Sequence, residues 1–117
     1  MRDIETKEDI VLLVDTFYGE IMKDTLLSPF FNSLHLPTHL PKMVNFWSFV
    51  LLDETGYATN VTEKHLNMKL DKTHFDRWIS LFNKTLDELF AGEKVEFAKQ
   101  RAFLIGWTIE NKINHKN

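Results

Sequence analysis

The chain has 117 residues, a formal net charge of −3, 44% hydrophobic and 26% charged residues, and no cysteine. That is enough for one domain, residues 1–117, with a small core, and it excludes a disordered chain. The missing cysteines exclude disulfides, thiolate zinc sites and a cysteine nucleophile, while no Lys/Arg block or apolar run of ~18 residues invites a nucleic acid or a membrane.

The opening "MRDIETKEDI" is charged and has no apolar signal core, so a soluble cytoplasmic protein is expected. Thr6-x-x-Asp9 resembles a capping box and predicts a helix from Thr6 to about Lys23, with Ile10, Val14, Phe17, Tyr18 and Ile21 on one face. Ser28-Pro29 breaks that pattern, and Phe30-Phe31-Asn32 follows as a short turn-rich piece. Thr38 is the expected cap of the next helix, with Pro41 in its first turn and His39, Met43, Phe46, Trp47 and Val50 sharing a face. Asp53 to Thr62 reads as a loop around Gly56, and Thr62 caps a short turn carrying His65. Thr73-x-x-Asp76 predicts a second capped start. The stripe Phe75, Trp78, Ile79, Phe82, Leu86, Leu89 and Phe90 follows, with Gly92 as its stop. A last helix runs from about Glu93 to Lys112 with Val95, Ala98, Ala102, Ile105 and Ile109 inward, and the polar tail frays from about residue 113. The fold class is all-α.

Five residues are candidates for chemistry. His65 precedes a long helix and offers an imidazole nitrogen, or is a solvated histidine at a helix end. Tyr18 lies on an apolar face, where its hydroxyl needs a partner: a bound ligand or a backbone carbonyl. Trp78 is a donor only, or plain core. Phe31 stacks on a flat cofactor or fills the space under the Ser-Pro break. His39 faces the same region or points to water. An iron porphyrin needs one axial nitrogen, flat apolar walls and a few donors, which this set supplies. His74, His35 and His115 read as surface, with His74 the rival axial ligand. A zinc site from His39, His65 and His74 lacks a helical i, i+4 ligand pair.

The stretches "FYGEIMKD" (17–24), "LSPFFN" (27–32), "HLPKMVNFW" (39–47), Gly56-Tyr57 with His65 eight residues after the tyrosine, and "HFDRWISLF" (74–82) together resemble the third group of truncated globins, found mainly in bacteria. The likeness runs from about residue 5 to residue 110. It implies a two-over-two helical sandwich around haem b. It makes His65 the axial iron ligand, Tyr18 and Trp78 distal donors, and His39 a distal gate. Phe31, Met43, Phe46, Trp47 and Tyr57 fall in the haem pocket. The chain departs from the family at "YATNV" (57–61), which lacks the family's Gly and Pro.

On that resemblance the expected ligands are dioxygen, NO and CO. Two donors to a ligand that gains negative charge add about 3 kcal/mol together, which slows release about a hundredfold. Such retention suits oxygen, NO or peroxide chemistry or sensing, with a separate reductase, better than bulk transport. Lys42, Lys64, Lys72 and Arg77 are the candidate partners of haem propionates. A monomer is expected from the net charge of −3 and the absence of an obvious apolar outer face. The competing expectation is a haem-free helical module that binds a protein partner.

Overall fold

The structure is a computed structural model that describes residues 1–32, 35–53 and 70–114. Its helices are α1 (Lys7–Lys23), α2 (Ser28–Phe31), α3 (Leu36–Leu52), α4 (Lys72–Leu89) and α5 (Glu93–Asn114), with no strand among the described residues. α1 packs on α3 and α4 packs on α5, and the two pairs meet through α1 against α4 and α3 against α5. This is the expected all-α, two-over-two sandwich. No helix among the described residues is long and apolar enough to cross a membrane.

α1 starts as its sequence dictates. Thr6 accepts from the Asp9 N–H, and the Asp9 carboxylate accepts from the Thr6 N–H, so two orphan donors are satisfied at once. Its stripe of Ile10, Leu13, Val14, Phe17, Tyr18 and Ile21 is buried. Two starts differ from expectation. α3 begins at Leu36 with His35 as its cap, three residues before the expected cap Thr38, and Pro37 rather than Pro41 occupies the first turn. Proline at that place presets the helical φ and gives up only an orphan N–H. Pro41 sits inside the helix, where both it and Pro37 are exposed to solvent. α4 begins at Lys72, because Asp71 outcompetes Thr73 as a cap: its carboxylate accepts from the N–H groups of Thr73 and His74. Asp53 closes α3 with a left-handed φ of 58° and donates its N–H to the Ser48 carbonyl. α5 extends two residues past Lys112, to Asn114.

The charged N-terminal stretch is a clasp. Asp3 accepts from the N–H groups of Lys94 (2.9 Å) and Val95 (3.2 Å), capping α5 from the far end of the chain. The Ala91 N–H donates to the Arg2 carbonyl. Arg2 grips Asp9 with two nitrogens, at 2.7 and 2.6 Å, and Ile4 is fully buried between these contacts. That geometry holds the Asp9 carboxyl well below the usual carboxylate range. The Arg2 hydrogen bonds are the main cause, burial opposes them, and the Glu5 and Thr6 N–H groups add to them. The outer face of α5 presents Phe103, Leu104 and Trp107, each more than half exposed. That apolar face removes one of the two grounds on which a monomer is expected, leaving the net charge.

Candidate ligand cavity

Every long helix contributes wall to one apolar cavity of about 60 Å³. α1 supplies Val14, Phe17 and Tyr18, and the turn into α2 supplies Leu27 and Phe31. α3 adds Met43, Phe46 and Trp47, one helical turn at a time along the face read from the sequence. α4 adds His74, Phe75, Trp78 and Phe82, and α5 closes the far side with Ile105, Gly106 and Ile109.

The walls are rings in fixed mutual orientations. Phe82 lies between two tryptophans: Trp47 stacks on it at 4.9 Å and 24°, and Trp78 at 5.9 Å and 4°. Phe17 meets Phe82 and Trp78 edge-on, at 5.0 and 5.9 Å. Stacked and edge-on pairs are the low-energy arrangements of aromatic quadrupoles, so this cluster makes a rigid floor. Tyr18 packs edge-on against Phe31.

One polar pair stands at this apolar surface. The Tyr18 hydroxyl lies 3.0 Å from His39 Nε2, and the two rings meet edge-on at 5.1 Å. His39 is thus brought to the cavity through the tyrosine rather than as part of its wall. When His39 Nε2 carries no proton the phenol donates to it; when it does, the phenol accepts.

His74 is not the surface residue expected. With α4 starting at Lys72, it falls at the third helical position, where its Nδ1 accepts from the Asp71 N–H at 3.0 Å and its half-buried ring lines the cavity beside Phe30. Nδ1 is thereby occupied, leaving Nε2 as the ring's second nitrogen. His35 is exposed and pairs with Thr38. Tyr57, Lys64, His65 and His115 lie outside the described residues. No group of three or more His, Asp or Glu side chains among the described residues is arranged to hold a metal ion. Two of the cations proposed for a cofactor rim are already engaged: Lys72 with Asp76 at 2.7 Å and Arg77 with Asp24 at 2.6 Å. Lys42 is exposed.

Asp24 escaped notice in the sequence, where nothing marks it off from other charged residues at helix ends. Its side chain is 6% exposed, and it accepts from Arg77 and from the Leu27 N–H. Burial works against ionisation, but the Arg77 and Leu27 donors outweigh it, and the carboxyl is held below its usual pKa. Val14, Phe17, Leu27, Leu70, Phe75, Phe82, Ile105, Gly106 and Ile109 also border the cavity, none of them expected there from the sequence. Periodicity marks inward positions without saying which of them border a void.

The chain is 30% identical, over 114 residues, to the group 3 truncated hemoglobin ctb of Campylobacter jejuni, covering 92% of this chain and 90% of that protein. The crystal structure of the group III truncated hemoglobin from Campylobacter jejuni matches it with a TM-score of 0.88 at 28% identity, over 100% of this chain and 98% of that one. The group II truncated hemoglobin from Bacillus anthracis matches with a TM-score of 0.78 at 25% identity, over 91% and 85%. No family model matches the chain.

Proposed function

The chain belongs to the group 3 truncated haemoglobins, and on that premise we propose that it binds haem b in the cavity and a diatomic ligand, dioxygen, NO or CO, beside Tyr18. The observation that carries this reading is the Tyr18–His39 pair set against an aromatic-walled apolar cavity. The fit is chemical: a porphyrin is flat and apolar, and the Trp47, Phe82 and Trp78 rings with Phe31 and Phe46 offer flat apolar partners. His65 would hold the iron, and Tyr57 would lie in the pocket near it. The haem, when bound, supplies the iron to which the diatomic ligand attaches.

The rest belongs to the side chains. The aromatic floor and Met43 exclude water from the cavity, which strengthens every hydrogen bond made there. Tyr18 and Trp78 carry donors on neighbouring helices, and both touch Phe17, which keeps them on one side of the cavity. His39 holds the Tyr18 hydroxyl in place, and its tautomer sets whether the phenol donates to it or accepts from it. Two donors to a ligand of partial negative charge add about 3 kcal/mol, or about a hundredfold in release rate. We therefore assign the protein to retention chemistry with dioxygen, NO or peroxide, served by a separate reductase in the cytoplasm, rather than to bulk transport.

The test is an absorption spectrum of the haem-reconstituted chain, reduced with and without CO, beside His65→Ala. A Soret band of one haem per chain that is altered or lost in the variant supports the reading. No stoichiometric uptake defeats it and leaves a haem-free helical module. Given uptake, Tyr18→Phe is expected to release dioxygen about tenfold faster, the loss of one donor of about 1.5 kcal/mol. An unchanged rate would end the retention argument.

A further inference from the structure

We propose that Asp24 and Arg77 are positioning residues for the ligand-facing pair Tyr18 and Trp78, setting how far apart α1 and α4 hold the two donors. The inference rests on the functional reading above. Asp24 caps the C-terminal end of α1, the helix that carries Tyr18, and Arg77 immediately precedes Trp78 on α4. Asp24 Oδ1 accepts from Arg77 Nε at 2.6 Å, while Oδ2 accepts from the Leu27 N–H at 3.0 Å. Its backbone carbonyl accepts from the Ser28 N–H at 2.9 Å, at the start of the turn that carries Phe31. The buried carboxylate thus ties the end of the helix of Tyr18 to the cavity residue Leu27 and to the helix of Trp78, and the backbone carbonyl of the same residue ties in the segment of Phe31.

Stability alone is a weak reason for such a pair, because Asp24 is buried while the Arg77 side chain is nearly half exposed, and an ion pair open to solvent contributes little. What the pair adds is direction. The ring contacts between α1 and α4 are edge-on, Phe17 against Trp78 and Phe82. Edge contacts tolerate a small slip of one helix along another; a short charge-assisted bond from one nitrogen to one oxygen does not. Without it, the Trp78 indole N–H loses its fixed distance from the acceptor it would share with Tyr18.

The experiment compares wild type, Asp24→Asn, Arg77→Met and, as a control for lost stability elsewhere, Arg2→Ala. Three readouts are taken: the infrared C–O stretch and the dioxygen release rate of the haem-loaded proteins, and the Trp78 indole N–H cross-peak of the haem-free proteins. Asp24→Asn and Arg77→Met are expected to move the C–O stretch towards that of Trp78→Phe. They should also release dioxygen at least threefold faster and shift the Trp78 cross-peak while leaving that of Trp107 in place. Arg2→Ala should melt lower with all three readouts unchanged. If Asp24→Asn and Arg77→Met only melt lower, as Arg2→Ala does, the pair holds the fold and nothing more, and the proposal is overturned. If wild type takes up no haem, the functional reading fails, and the Trp78 cross-peak alone then decides whether the pair positions that ring.

Discussion

Gly92→Ala should be among the most costly single-methyl changes in the chain. Gly92 has a φ of +148°, a region that side chains with a Cβ rarely adopt, and the strain there is about 1–2 kcal/mol. The added Cβ would also lie 2.6 Å from Asp3 Cβ and 2.7 Å from Asp3 Oδ2. Asp3 must then withdraw, and with it go the acceptors of the Lys94 and Val95 N–H groups at the start of α5. Loss of such a cap costs about 1 kcal/mol, so the total is about 2–3 kcal/mol. At about 4 °C per kcal/mol for a chain of this size, the melting midpoint should fall by about 10 °C. The assay is thermal and urea unfolding followed by far-ultraviolet circular dichroism, for Gly92→Ala, Asp3→Gly and the double variant. In the Asp3→Gly background the clash is gone, so Gly92→Ala should cost only the φ strain, and the double variant should lose at least about 1 kcal/mol less than the sum. A midpoint for Gly92→Ala within about 1 °C of wild type, or an equal cost in both backgrounds, would refute the clasp between Asp3 and the start of α5.

The carboxyls of Asp9 and Asp24 are both held below their ordinary pKa, so their stabilisation is complete above the unfolded value near pH 4 and is lost as pH falls through the folded values. Urea midpoints should therefore be level from pH 5 to 7 and drop below about pH 4. Asp9→Asn should flatten that drop by up to about 1.4 kcal/mol per pH unit, and an unchanged slope would show that Asp9 titrates alike in both states. Ser48 is fully buried, and its Oγ has no hydrogen-bond partner among the described residues. Ser48→Ala is expected to hold stability or raise it by about 0.5–1 kcal/mol, and a loss larger than about 1 kcal/mol in urea unfolding would mean the hydroxyl is bonded after all.

The helices and their inward faces could be read from residue order alone, because the signals involved are local. Thr6 and Asp9 satisfy orphan N–H groups one turn away, and the stripes of α1, α3 and α4 repeat at the pitch of a helix whatever surrounds them. Tyr18, Met43, Phe46, Trp47 and Trp78 fall on those stripes and border the cavity, as does Phe31 from the short helix after the Ser-Pro break. Local reasoning slipped where two caps competed. Thr73 and Asp71 are both good cap residues, and the choice of Asp71 turned His74 from the surface into the wall. Only the tertiary structure could bring Asp3 to the start of α5, Arg77 to Asp24 and His39 to Tyr18. Those partners stand 91, 53 and 21 residues apart in the chain. A charge or a hydroxyl in a sequence says that a partner is needed if the group is buried; which group meets it depends on how the helix pairs cross, and that is decided by the packing of rings such as Phe17, Phe82 and Trp78.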